Sequence, residues 1–389
     1  MTPAARVQAA IELLDRIAEA ARSEGPAADS LISSYFRDRR YAGSTDRRAV
    51  RELVYSAIRR SGDVPASGRA AMLGLCDEHP ALAPLFDGSA HAPAPPAPDE
   101  ERTQRSLAPS WLAERIGAAE LPALLERAPL DLRVNRLKGT LEEARRVLPE
   151  AAPTPHSPLG LRLPDGSRIE EHEAWRSGLV EVQDEGSQLL SLACGAAAGM
   201  TVLDLCAGAG GKTLALAAEM QNCGRIYASD TDRARLSRMR PRLGRAGVSI
   251  VEPRLVDPGR EPEALADLAG AADLVLVDAP CSGTGTWRRN PETRWRLTPE
   301  RLERVAALQA RLLDVASALV RPSGTLVYAV CSLLPEEGSA QAEAFSARSA
   351  MVSETVPIEA GRAAGSGRIL SPAHDGTDGF FVARWRAPC

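Results

Sequence analysis

Two cysteines stand where a covalent chemistry could be done. Cys281 follows the apolar run Leu274–Asp278 in the stretch Asp278-Ala-Pro-Cys281-Ser-Gly-Thr-Gly, and Cys331 follows the run Thr325–Val330. Both runs are near-continuously apolar, as strands buried on two faces are. In an open sheet of parallel strands, the carboxyl ends line the ligand crevice. Both thiols are therefore expected to face one ligand. Most lone cysteines are small buried hydrophobes without chemistry, and Cys76, Cys194, Cys223 and Cys389 are read that way. Two thiols at successive crevice edges are harder to explain as filling.

A glycine-rich turn says what shares the crevice. The run Thr201–Leu205 leads into Cys206, Ala207, Gly208, Ala209, Gly210, Gly211 and Lys212, and then into a helical stretch. Glycines at a strand-to-helix turn let backbone amides approach a ligand. A triphosphate loop needs glycine five positions before Gly211, where Cys206 stands. A dinucleotide loop needs G-x-G-x-x-G, which Gly208, Gly210 and Gly211 do not supply. What remains suits S-adenosylmethionine. Asp204 could accept from its ammonium and loop amides could meet its carboxylate. Asp230, ending the second run Arg225–Ser229, could take the ribose hydroxyls. Asp257, near the end of a weaker third strand over Val248–Asp257, could meet the adenine amino group. Asp232 reads as a helix cap.

A methyl donor beside thiols suggests methylation of cytosine at carbon 5, which is too electron-poor to attack a donor directly. Addition of a thiolate at carbon 6 makes carbon 5 nucleophilic, and loss of the carbon-5 proton later expels the sulfur. A carboxyl such as Asp278 could stabilise the charge on the ring. A free thiol is only a few per cent ionised near neutral pH, so local activation is required.

These residues resemble the Sun-type RNA (cytosine-5) methyltransferases, whose bacterial ribosomal members carry a NusB-like helical domain ahead of the catalytic half. The likeness covers nearly the whole chain. It rests on DLCAGAGGKT (204–213), SDTDRARL (229–236), VDAPCSGTGTWRRNP (277–291), YAVCS (328–332) and DGFF (378–381), with DLRVN (131–135) and VQDEGSQL (182–189) ahead of them and YFRDRRYAGSTDRRAVRELVY (35–55) in the helical part. The resemblance implies Cys331 as the nucleophile, Cys281 assisting product release, and Asp278 contacting cofactor and base. It implies that loop 206–212, Asp230 and Asp257 hold S-adenosylmethionine, and that the substrate is a cytidine of 16S ribosomal RNA. Two positions depart from the family pattern. Gly208-Ala209 replaces the usual Ala-Pro, and Val330 replaces the threonine before the nucleophile.

The elements that must position these residues follow from periodicity. From Ala5 to about Leu85, apolar residues such as Val7, Ile11, Leu14 and Ile17, then Val50, Leu53, Val54 and Ile58, recur at helical spacing. Residues 1–86 are read as an all-helical, NusB-like RNA-binding domain. Residues 87–104, rich in Pro and Ala, read as a semi-rigid linker. Residues 105–190 read as a small α+β RNA-binding module, with helices over Trp111–Leu125 and Thr140–Leu148 and strands over Leu132–Asn135 and Leu159–Leu163. Residues 191–389 read as a Rossmann-like, doubly wound α/β methyltransferase domain.

Composition bounds the reading. With 389 residues, 44% hydrophobic and 25% charged, disordered and fibrous classes fall away. The seven cysteines never fall at C-x-x-C spacing, so neither a disulfide framework nor a zinc site is expected. The five histidines are dispersed, and no metal is expected. Asp15 and Arg16 interrupt any leader-like apolar run, and no stretch approaches the ~20 residues of a membrane span. A cytoplasmic monomer without membrane association is expected.

Net charge is −4, yet basic residues are segregated. Residues 36–60 hold eight arginines against Asp38, Asp46 and Glu52, and residues 286–304 hold six against Glu292, Glu300 and Glu303. Directed phosphate contacts need such segregation, though solvated helix faces would look the same. Trp287 and Trp295 interleave with the second cluster and could stack on splayed bases or pack in a core. A single-stranded or loop target follows, because extruding a base from a helix costs a few kcal/mol. Three other functions stay open: an exocyclic-nitrogen methyltransferase, a transfer-RNA cytosine-5 methyltransferase, and a ribosome-assembly factor without catalysis.

Overall fold

The computed structural model describes residues 1–389 apart from Glu24 and Asp165. The chain forms two compact units. The first comprises Met1–Glu126 and Thr286–Pro299, the second Arg127–Gly285 and Glu300–Cys389.

Helices Pro3–Arg22, Ala28–Arg37, Ser44–Arg60 and Gly68–Glu78 build the first unit. The Thr2 side chain accepts from the Ala5 amide at 3.1 Å and Pro3 opens the first helix, which meets two of the orphan-donor demands of a helix start. Val7, Ile11, Leu14 and Ile17 all point into the core with Val50, Val54 and Ile58, so the predicted stripe is the buried one. Each such side chain contributes about 1.5–3 kcal/mol. Residues 87–104 form no helix or strand and run against these helices. The Ala94 carbonyl accepts from Arg69 at 2.9 Å, and the Thr103 amide donates to the Ala70 carbonyl at 3.0 Å.

The segment Thr286–Pro299 belongs to this helical unit, and that decides between the two readings of its tryptophans. Trp287 is 0% exposed and Trp295 6%, so neither offers a face to a base. Trp295 sits in the helical core and its Nε1 donates to the Ser61 carbonyl at 2.7 Å. Arg294 is buried as well, donating to the carbonyls of Leu107, Arg59 and Ser61 at 2.9, 2.9 and 3.0 Å. Burial pushes its guanidinium down to about 9. Spacing alone cannot distinguish a stacking tryptophan from one that plugs a core. Here the apolar area of the ring decides.

In the second unit, strands β1 (Leu130–Val134), β2 (Ala152–Pro153), β3 (Gly160–Leu163) and β4 (Val180–Val182) form an antiparallel sheet in the order β2-β3-β1-β4. The stretches 131–135 and 182–189 hold one another. The Gln183 amide donates to the Asp131 carbonyl at 3.1 Å, Arg133 Nε to Gln183 Oε1 at 2.6 Å, and Gln188 Nε2 to the Leu132 carbonyl at 3.1 Å.

The larger sheet has nine strands. Strands β5 (Thr201–Asp204), β6 (Arg225–Asp230), β7 (Val251–Leu255), β8 (Ala272–Asp278) and β9 (Val320–Val330) are parallel in the order β7-β6-β5-β8-β9. The short strands β10 (Val352–Glu354), β11 (Arg362–Ala364) and β12 (Gly367–Leu370) precede β13 (Phe380–Arg386), which pairs antiparallel with β9. Alternate residues feed the two faces. Val202, Leu274, Leu276 and Val327 join one core, while Leu203, Val275, Val277 and Leu326 join the other with Leu312, Ala316 and Leu319 of helix Pro299–Leu319. The continuous apolar runs are thus explained by cover on both faces. The fold is the doubly wound one expected.

Candidate active site

Strand order reverses at β5, which lies between β6 and β8, and such a switch point opens a crevice at the carboxyl ends of the strands. A cavity of about 730 Å³ lies there. Its wall includes Cys206, Ala207, Gly208 and Ala209 after β5, Asp230 at the end of β6, Asp278 at the end of β8 with Cys281 beyond it, and Cys331 after β9. Helix Pro299–Leu319 closes it with Val305, Leu308 and Leu312.

The loop is shaped by its glycines and tied to Asp230. Gly208 and Gly210 take φ of +56° and +82°, the left-handed region that favours glycine. At Gly210 a Cβ would come within 2.7 Å of the Met239 side chain. The Gly208 amide donates to Asp230 Oδ2 at 2.7 Å and the Asp232 amide to Oδ1 at 2.7 Å. Asp230 thereby fixes both the loop and the turn after β6. Asp232 caps the next helix, accepting from the amides of Ala234 at 2.8 Å and Arg235 at 3.1 Å. Asp257 is exposed and is not among the lining side chains, although its neighbours Val256 and Pro258 are. Gly210, Gly211 and Lys212 lie behind the wall, at the start of helix Gly211–Glu219.

Lys212 reaches Asp278 from that position, with Nζ 2.7 Å from Oδ2. Burial works against its charge, but the Asp278 carboxylate outweighs burial and raises the ammonium above its ordinary value. Asp204 is buried beneath the loop. Its Oδ2 accepts from Thr213 Oγ1 at 2.7 Å, while Oδ1 is buried without a hydrogen-bond partner. Burial pushes its carboxyl up to about 7, even though the Thr213 hydrogen bond favours the charged form.

The two thiols meet. Cys281 Sγ and Cys331 Sγ are 3.3 Å apart. The hydrogen bond to Cys331 and burial hold the Cys281 thiol well above its ordinary value. Burial does the same for the third lining cysteine, Cys206. Val330, which stands where the family pattern has threonine, is fully buried in the sheet core, so its side chain is spent on packing.

Several participants carry no sequence signal of their own. Arg311 makes a two-pronged ion pair with Glu261 on the cavity wall, its Nη2 3.0 Å from Oε1. Glu337 is fully buried and collects the residues that follow the two cysteines. Neither acid lies in the glycine loop or beside a cysteine. Among the described residues no cluster of His, Cys, Asp or Glu could hold a metal ion, and no helix is long and apolar enough to cross a membrane.

The family model described as 16S rRNA methyltransferase RsmB/F matches residues 193–386. The probable ribosomal RNA small subunit methyltransferase B of Synechocystis sp. is 35% identical over 299 residues, which is 71% of this chain and 66% of that relative. The chain thus spans just under two thirds of that relative's length. The ribosomal RNA small subunit methyltransferase B of Sodalis glossinidius is also 35% identical, over 75% of this chain and 68% of its own. The crystal structure of PH0851 superposes with a TM-score of 0.78 at 25% identity, covering 99% of both chains. The signature residues, the fold and these relatives agree: the chain belongs to the ribosomal RNA small subunit methyltransferase B family.

Proposed function

We propose that the protein transfers a methyl group from S-adenosylmethionine to carbon 5 of a cytidine in 16S ribosomal RNA, through a covalent adduct between Cys331 and carbon 6. The observation that carries this reading is the pair of thiols 3.3 Å apart on the wall of a cavity that Asp278 and the glycine loop share. A methyltransferase acting on an exocyclic nitrogen has no use for either thiol.

The cavity suits the cofactor chemically. The loop after β5 brings backbone close to the ligand, Asp230 stands at the edge where ribose hydroxyls would lie, and Val256, Leu308 and Leu312 supply apolar surface for an adenine. Asp204 Oδ1, buried and unpartnered, is a waiting acceptor for an ammonium group. Cys206, Ala207, Gly208, Ala209, Asp230 and Asp278 are the lining residues we assign to binding, with Gly210, Gly211 and Lys212 supporting them from behind. Asp257 is assigned only a place beside the adenine edge. S-adenosylmethionine would supply an electrophilic methyl group.

The chain's own residues do the rest. Cys281, held protonated, would donate its S–H to a thiolate at Cys331, and the field of the Lys212 ammonium would favour that anion. This is local activation of the kind a nucleophilic thiol needs. The Cys331 sulfur adds to carbon 6 and makes carbon 5 nucleophilic. Asp278, steadied by Lys212, would accept from a proton on cytosine N3, and that proton offsets the negative charge that thiolate addition puts on the ring. Once carbon 5 is methylated, the C6–S bond breaks as Cys281 gives its proton to the departing Cys331 sulfur, and the Cys281 thiolate so formed takes the carbon-5 proton as the C5–C6 double bond re-forms.

RNA binding rests on the family and on exposed arginines. In the helical unit Arg37, Arg40 and Arg48 are exposed beside Tyr41, which is 74% exposed. Transfer of labelled methyl groups to small-subunit ribosomal RNA tests the reading. Wild type should label RNA at carbon 5 of cytidine and Cys331→Ala should not. Labelling of transfer RNA alone would reassign the substrate, and labelling by Cys331→Ala at the wild-type rate would overturn the mechanism.

A further inference from the structure

Each cysteine is followed by a serine, and both serines end on one carboxylate. Glu337 lies just beyond β9 and is 0% exposed. Its Oε1 accepts from the Ser282 amide at 2.7 Å and from Gln309 Nε2 at 3.0 Å. Its Oε2 accepts from Ser332 Oγ at 2.5 Å and from Ser282 Oγ. Further bonds close the cluster. Gln309 Nε2 also donates to the Pro280 carbonyl at 2.9 Å, and the Gly285 amide to the Cys331 carbonyl at 3.1 Å. Thr284 Oγ1 lies 3.0 Å from Ser332 Oγ and accepts from the Leu333 amide at 3.0 Å.

Among the described residues Glu337 has no lysine or arginine partner. A buried carboxylate without a counter-ion is expensive, and its donors must make up the deficit. Four donors from three elements do so, and two of the three carry the thiols. Sulfur atoms on separate loops hold a fixed separation only if something fixes the loops, because catalytic groups need a supporting shell to stay within about half an ångström of their productive places. Hydrophobic packing alone would not orient Ser282 and Ser332 toward one point.

We propose that Glu337 is a positioning residue: it anchors the residue after each thiol and so sets the separation and orientation of Cys281 and Cys331. This rests on the reading of those thiols as the pair that forms and releases the RNA adduct. Glu337 and its donors Ser282, Ser332 and Gln309 do not line the cavity, so Glu337 acts through the cysteines rather than on substrate. The repulsive field of its carboxylate at Cys281 also helps to keep that thiol protonated.

Two readouts separate positioning from mere structure. Phenylarsine oxide condenses with two thiols, forming two As–S bonds and releasing one water, and binds tightly where the thiols are already adjacent. On full-length protein without RNA, wild type should bind it tightly and Cys281→Ala should not. Glu337→Gln should bind about tenfold more weakly, and Ser282→Ala and Ser332→Ala about threefold. In turnover, Glu337→Gln should lose about tenfold in kcat with KM for RNA and cofactor within about twofold, and should retain more RNA as covalent adduct than wild type does. If Glu337→Gln does not fold, the two serine variants carry the arsenical test. Wild-type arsenical affinity in every folded variant would overturn the proposal. A weakened arsenical response in a protein that methylates no RNA would keep the positioning role and remove the functional reading instead.

Discussion

Cys281 Sγ and Cys331 Sγ lie 3.3 Å apart across 50 residues of chain. Their meeting is a property of the sheet. Strands β8 and β9 are parallel neighbours with Asp278 opposite Ala329, so both chains leave the sheet at the same level and turn into the same cavity. The Glu337 cluster then ties the two turns together.

Lys212 should matter to catalysis although it stays behind the cavity wall. Lys212→Met removes the partner of Asp278 and a cation whose field acts on Cys331. Asp278 is partly exposed, so the stability loss should be about 1–3 kcal/mol, below the usual cost of breaking a fully buried pair. Methyl transfer should fall about tenfold or more. Urea unfolding and single-turnover transfer measure the two effects separately, and unchanged transfer would remove Lys212 from the site.

Asp204 should make the protein less stable as pH rises. Its carboxyl titrates near 4 in an unfolded chain and is raised to about 7 in the fold. The folded chain therefore holds a proton that the unfolded chain has lost, and its stability contribution declines between about pH 4 and pH 7. In Asp204→Asn that decline should shrink while Thr213 keeps a hydrogen-bonding partner. Urea midpoints for both proteins at pH 5 and pH 7.5 give the comparison. The same slope in the variant would refute the assignment.

Trp295 should behave as core. Trp295→Ala should cost about 3–5 kcal/mol in the stability of the helical unit, as truncation of a buried aromatic does. Trp295→Phe should bind RNA as wild type does, since the ring meets protein rather than bases. A large loss of RNA affinity in folded Trp295→Phe would restore the stacking role.

The sequence revealed the parts with local signatures and missed those made by distant pairing. Strands β5, β6, β8 and β9 are legible because parallel strands covered on both faces must be continuously apolar. The glycine loop is legible because positive φ needs glycine. Strands β10 to β13 escaped notice, and only the DGFF stretch pointed toward the last of them. They pair antiparallel at one edge, where register comes from partners far along the chain. Glu337 and Glu261 are missed for a related reason: an acid draws its role from donors that folding brings to it. Trp287 and Trp295 stayed ambiguous because the arginines around them suggested a surface, whereas Arg294 is itself buried and bonded to carbonyls.

Trapping of the RNA adduct decides how the two thiols divide the labour. Cys281→Ala, incubated with S-adenosylmethionine and small-subunit ribosomal RNA, should accumulate a protein–RNA species stable to denaturing gels, with the cross-linked peptide carrying Cys331. Cys331→Ala and the double variant should form none. An adduct that maps to Cys281 in Cys331→Ala, or Cys281→Ala turning over like wild type with no adduct, would contradict the account.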